Sequence, residues 1–65
     1  MNDLEIGDIV YCINREKTRT VVIYKIFNGY IFIEGNNRIN LLSKIWFDND
    51  NYWYYKFYKK KENIK

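Results

Sequence analysis

Thr20-Val21-Val22-Ile23-Tyr24-Lys25-Ile26-Phe27-Asn28-Gly29-Tyr30-Ile31-Phe32-Ile33-Glu34 reads as a β-hairpin. Both arms are rich in β-branched and aromatic residues, which fit a pleated surface. Asn28-Gly29 between them is the strongest short-range hairpin signal, because a type I′ turn needs positive φ at both central residues. A turn of that length fixes the register. Phe27 then faces Tyr30, Ile26 faces Ile31, Lys25 faces Phe32, Tyr24 faces Ile33 and Ile23 faces Glu34. Side chains alternate along a strand, so Val22, Tyr24, Ile26, Ile31 and Ile33 share one face. Ile23, Lys25, Phe27, Tyr30, Phe32 and Glu34 share the other. The first face is apolar apart from one phenol and is the expected core. The second mixes aromatic rings with charge and is expected to be half wet.

Working outward, Asp8 to Ile13 reads as an earlier strand opened by Gly7, with Asn14 to Thr18 as a polar loop after it. Past the hairpin, Gly35-Asn36-Asn37 signals a turn and Arg38 to Leu42 a short strand. The last third supports two readings. In the preferred one Asp48 caps a short helix, Phe47 staples onto Tyr52, and Lys59 to Lys61 lie near the negative helix end. In the alternative, Tyr52 to Tyr58 is a strand and Asp48-Asn49-Asp50-Asn51 a hairpin loop.

Gly7-Asp8-Ile9-Val10-Tyr11, a following hairpin, and Lys44-Ile45-Trp46-Phe47-Asp48 leading into a polar-aromatic tail carry a resemblance. The chain is similar to the small SH3-like barrel proteins of phages and low-GC bacteria. In those a Gly-Asp-x-Val-Tyr strand opening precedes a compact barrel, and a late apolar-Phe-Ser/Thr/Asp step starts a short closing helix. Tyr52-Trp53-Tyr54-Tyr55 stands here where that helix usually carries Glu and Ala. The resemblance implies a binding fold. The expectation is a mainly β chain: a small SH3-like barrel or curled antiparallel meander of four to five strands with a short C-terminal helix, or in the alternative a C-terminal strand. Residues 1–65 form one domain, with 1–6 and 61–65 expected to fray.

Size and composition bound the function. A chain of 65 residues has a thin core, and chains this small usually need a staple or dense apolar packing. One cysteine and no histidine exclude an internal disulfide and an ordinary zinc site. Packing is therefore the expected stabiliser, and 20% of the residues are aromatic. No apolar run reaches the roughly 18 residues of a membrane span. The acidic start, Met1 to Glu5, lacks a signal-peptide core. With a lone thiol, these features lead to a cytoplasmic expectation. Net charge is +3, from 11 basic and 8 acidic side chains, which permits nucleic-acid binding without demanding it. Enrichment in Ile, Asn, Lys, Tyr and Phe matches an AT-rich genome, as in a low-GC bacterium or its phages and mobile elements.

Nothing in the residues signals catalysis. Without histidine, an acid–base group near neutrality would have to be a perturbed carboxylate. Asp48 and Asp50 lie in an Asn-rich turn, where short polar side chains bond their own backbone. Cys12 reads as a small buried hydrophobe rather than a nucleophile. No catalytic residue, metal ligand or cofactor is expected. The candidate contact surface is the aromatic strip Phe27, Tyr30 and Phe32 beside Lys25, with Arg15, Lys17 and Arg19 on the first loop. The competing bland reading makes that strip a second core covered by the C-terminal aromatics. A protein partner is the leading expectation, because tyrosine, tryptophan and arginine are frequent interface anchors. The alternative is a nucleic-acid-binding barrel, in which rings take bases and cations take phosphates. Self-association is also open, and no membrane contact is expected.

Overall fold

The computed structural model describes residues 4–61. It contains six strands: β1 (Ile9–Asn14), β2 (Lys17–Phe27), β3 (Tyr30–Ile33), β4 (Asn37–Asn40), β5 (Ile45–Asp48) and β6 (Asn51–Lys59). Every pairing is antiparallel, and the order across the sheet is β4-β3-β2-β1-β6-β5. The two end strands pack side by side without a ladder, so the sheet curls into a nearly closed barrel. Lys44 stitches that seam. Its N–H donates to the Asn40 carbonyl at 2.7 Å, and its carbonyl accepts the Tyr55 N–H at 2.8 Å. The Asn40 side-chain oxygen holds the same bend by accepting the N–H groups of Leu42 and Ser43.

The fold is a small antiparallel β barrel, with two departures from expectation. It has six strands rather than four to five, and among the described residues it has no helix. The C-terminal helix is replaced by β6, and the reason lies in the turn before it. Asn49 and Asp50 sit at φ 52° and 71°, the left-handed pair that a two-residue hairpin turn needs. Asp48 then faces Asn51, Phe47 faces Tyr52 and Trp46 faces Trp53. Asp48 caps no helix; it accepts a hydrogen bond from Arg19. Asn28 and Gly29 make the same kind of turn, at φ 57° and 82°, joining β2 to β3.

That second turn sets Phe27 opposite Tyr30, Ile26 opposite Ile31 and Lys25 opposite Phe32, as the sequence implies. Beyond Lys25 the ladder shifts. Ile23, not Tyr24, faces Ile33, and Tyr24 is the extra residue of a β-bulge. The bulge lies where β2 passes from pairing with β1, up to Val22, to pairing with β3. A strand shared by both halves of a curled sheet must bend, and the extra residue supplies the bend. It also inverts the faces on the N-terminal side. Val21 and Ile23 are buried, whereas Val22 and Tyr24 stay about half exposed. Ile26 shares the inner side with Ile31 yet keeps 39% exposure. The predicted core face is therefore right for Ile31 and Ile33 and wrong for Val22 and Tyr24.

The core consists of Val10, Cys12, Val21, Ile23, Ile31, Ile33, Ile39, Trp46 and Tyr55, with Leu4, Leu41, Trp53 and Tyr58 packed against it. Full burial of an aliphatic side chain of this size contributes about 1.5–3 kcal/mol. The barrel end is closed by a clasp between residues 5–8 and residues 60–61. Gly7, at φ 99°, turns the chain so that Asp8 points inward, and the Asp8 carbonyl accepts the Ile23 N–H at 3.0 Å. The carboxylate of Asp8 holds the N–H groups of Glu5 and Lys61 and the Lys60 ammonium. Of the ends expected to fray, residues 1–3 and 62–65 lie outside the described residues, while Glu5 and Lys61 are bonded to Asp8.

Candidate interaction surfaces

The strip singled out in the sequence forms on the outer face of β2, β3 and β4. Lys25, Phe32 and Arg38 make one cross-strand row, and Phe27, Tyr30 and Asn40 the next. Ile31, Ile33 and Ile39, which alternate with these residues, are fully buried, so the rings and cations face away from the core. Lys25 Nζ lies 5.1 Å from the Phe32 ring centre and 5.6 Å from that of Phe27. The Arg38 guanidinium lies 4.4 Å from the Tyr30 ring centre. Cations at such distances are attracted by the ring quadrupole, by about 0.5–1 kcal/mol at exposed sites. The C-terminal aromatics do not cover this strip, because β6 pairs with β1 and β5 on the other side of the barrel. Phe27 remains 62% exposed.

The basic residues of the first loop are not part of it. Arg15 and Lys17 lie at the β1–β2 turn, about 25 Å along β2 from Lys25 at 3.2–3.4 Å per residue. There they border an open cleft of about 640 Å³ with Glu16, Asp50 and Tyr52, where the charges are mixed. Arg19 is no loop residue at all. It pairs with Cys12 across the β1–β2 ladder and turns toward the inside. Its guanidinium bonds Asp48 at 2.8 Å, approaches Glu34 at 3.9 Å, and lies 5.1 Å and 5.4 Å from the ring centres of Trp46 and Trp53. Arg19 is a structural tie between β2 and the β5–β6 hairpin. Arg38 is the member of the strip that sequence reasoning missed. It stands directly across from Phe32 once the Gly35 turn is closed, so the register could have found it.

A second and larger surface covers the outer side of β2, β1, β6 and β5. Its rows follow from the pairings: Val22, Ile9 and Lys59; Thr20, Tyr11 and Phe57; Thr18, Ile13, Tyr54 and Ile45; and finally Tyr52 and Phe47. Tyr11 and Phe57 stack with ring centres 4.6 Å apart, and Phe47 and Tyr52 touch at 6.3 Å. Phe47 is 65% exposed, and Phe57 and Tyr52 are each 50% exposed. Within these rows the only charged side chain is Lys59, at the rim; Lys56 stands beside them in the β6 bulge. Reading residues 52–58 as a strand would have exposed this face, since Tyr52 and Tyr54 alternate with the inward Trp53 and Tyr55.

Burial and ion pairing shift titratable groups in the core and at the clasp. Burial pushes the Cys12 thiol up, against the lowering influence of the Trp46 N–H and Arg19, so it stays protonated at neutral pH. Trp46 Nε1 points toward that sulfur yet has no hydrogen-bond partner among the described residues. Burial likewise raises the Tyr55 phenol, helped by Tyr58, Cys12 and Asp8. At the clasp, burial would raise the Asp8 carboxyl, but its bonds to Glu5, Lys60 and Lys61 outweigh that and hold it below the ordinary carboxylate value. Desolvation opposes the charge on Lys60, but Asp8 and Glu5 prevail and raise its ammonium. Among the described residues no three His, Cys, Asp or Glu side chains cluster as metal ligands would. No family model matches this chain, and no similar curated protein or solved structure is found.

Proposed function

We propose that this chain is a non-enzymatic protein-interaction module that docks another protein on the outer face of β2, β1, β6 and β5. One observation carries the reading: an apolar, aromatic-rich surface runs across four strands, with Lys59 at its rim and Lys56 in the β6 bulge as the cations on it. With about 200 Å² for a full aromatic side chain, its most exposed residues present roughly 500 Å². A patch of that size on a small monomer is often functional. It approaches the core of a standard interface, which covers about 800 Å² per partner. The Tyr11–Phe57 stack fixes rings before docking, which lowers the ordering cost of binding. The barrel suits the SH3-like group that the sequence resembles, and a small accessory protein of a phage or mobile element that occupies a host protein's surface would have this chemistry.

The test is photo-crosslinking in the source cytosol from a benzophenone side chain placed at position 47. The expected result is one discrete adduct that disappears when Tyr54→Asp or Phe57→Asp is added, while thermal melting is little changed. Sedimentation of the purified chain shows whether the adduct is a second copy. If no adduct forms from position 47 and the chain sediments as a monomer, the face is idle and the proposal fails.

A further inference from the structure

The strip on β2, β3 and β4 is a separate surface, and we infer that it is a platform for single-stranded nucleic acid. Three rings and two cations project from one side of three strands. Neither Lys25 nor Arg38 faces a carboxylate among the described residues, because Glu34 reaches toward Arg19 instead. Both cations of the strip are therefore without an ion pair among the described residues and complementary to phosphate.

The spacing fits a nucleotide strand better than a folded protein. Lys25 and Arg38 flank Phe32 from the two neighbouring strands, about 10 Å apart at 4.7–4.9 Å per strand. A base laid on the strip would have a cation on either side for its two phosphates. Phe27 and Tyr30 extend the platform along the strands, giving room for about two or three bases, as on other sheet platforms. Each ring carries a cation over it, so a base stacks after Lys25 swings aside toward phosphate or, at Tyr30, on the guanidinium itself. Arg38 lies against Tyr30 and offers the far face of its guanidinium, on which bases also stack. Lys25 Nζ lies near both Phe27 and Phe32. No side chain here is arranged to read base edges, so recognition would be tolerant of sequence. Stacking needs unpaired bases, which excludes an intact duplex.

Fluorescence anisotropy with labelled oligodeoxythymidylate and oligouridylate at low salt tests this. Binding should weaken with salt at a log–log slope of about −1.4, from two phosphate contacts at about 0.7 each. Lys25→Gln and Arg38→Gln should each flatten the slope by about 0.7. Tyr30→Ala and Phe27→Ala should each weaken binding by about fivefold or more, the lower bound for one stacked base. Phe27 is exposed enough that its loss leaves melting unchanged, which separates lost binding from lost folding. Phe47→Glu, on the opposite face, should leave oligonucleotide affinity unaltered whatever the fate of the protein-docking proposal. Absence of binding at low salt overturns the inference. So does equal affinity for a duplex, or displacement by polyglutamate as effective as by oligonucleotide, which would mark the strip as an acidic-peptide site.

Discussion

Replacing Asp8 by asparagine should remove much of the barrel's stability. The Asp8 side chain is fully buried and makes three hydrogen bonds as acceptor: Oδ2 from the Glu5 N–H at 2.8 Å and Lys60 Nζ at 3.1 Å, and Oδ1 from the Lys61 N–H at 3.2 Å. Asparagine keeps the shape but has one acceptor oxygen, so its NH₂ must face a donor on one side. Hydrogen bonds to a charged group contribute about 1.5–3 kcal/mol, and the expected loss is about 2–3 kcal/mol. Cores of this size rarely supply more than about 3–5 kcal/mol, and the melting temperature should fall by about 10–20 °C. The effect has a pH signature. Folding lowers the Asp8 carboxyl, so its contribution is complete above the unfolded value of about 3.9 and is lost as pH falls through the lower folded value. Circular-dichroism melts of both proteins across pH should show a constant gap above about pH 5 that closes in acid. A gap of a degree or two at neutral pH, or one that persists in acid, would refute the clasp.

Three further substitutions test the architecture. Ile23→Ala should cost about 3 kcal/mol in chemical denaturation, as a buried aliphatic deletion does, and Val22→Ala less than about 1 kcal/mol; the reverse order would restore the unbulged ladder and bury Val22. Asp50→Gly should stabilise by about 0.5 kcal/mol by placing glycine at a positive-φ turn position. In a helix the same change would remove an acidic first-turn residue and destabilise, so the direction of the shift in melting separates the two conformations.

The parts of the fold that could be read in advance are those set by local chemistry, and the parts that could not are set by closure of the barrel. Asn28-Gly29 determines its turn because few other pairs take positive φ twice, and the three nearest pairings follow from it. The bulge at Tyr24 leaves no mark in residue type; it answers the need for β2 to serve two partners, which only the whole topology reveals. One inserted residue was enough to exchange Val22 for Val21 and Tyr24 for Ile23 in the core. For the C-terminal segment the preferred helix gives way to the alternative strand, and for a different reason. Asp48, Asp50 and the lysine run satisfy the local rules for a helix, and Asn49-Asp50 is a weaker turn signal than Asn-Gly. The decision falls to tertiary partners: Trp46 opposite Trp53, and Tyr55 and Tyr58 against Cys12 and Val10. Without β6 in that place, β1 would be an edge strand with Val10 and Cys12 uncovered. The same choice determines what the outer face of the barrel presents. A strand sends Tyr52, Tyr54 and Phe57 outward beside Tyr11 and Ile13, whereas a helix packed on the barrel would have buried part of that set. The apolar face is therefore a consequence of how the barrel closes, and no reading of the central hairpin alone could have located it.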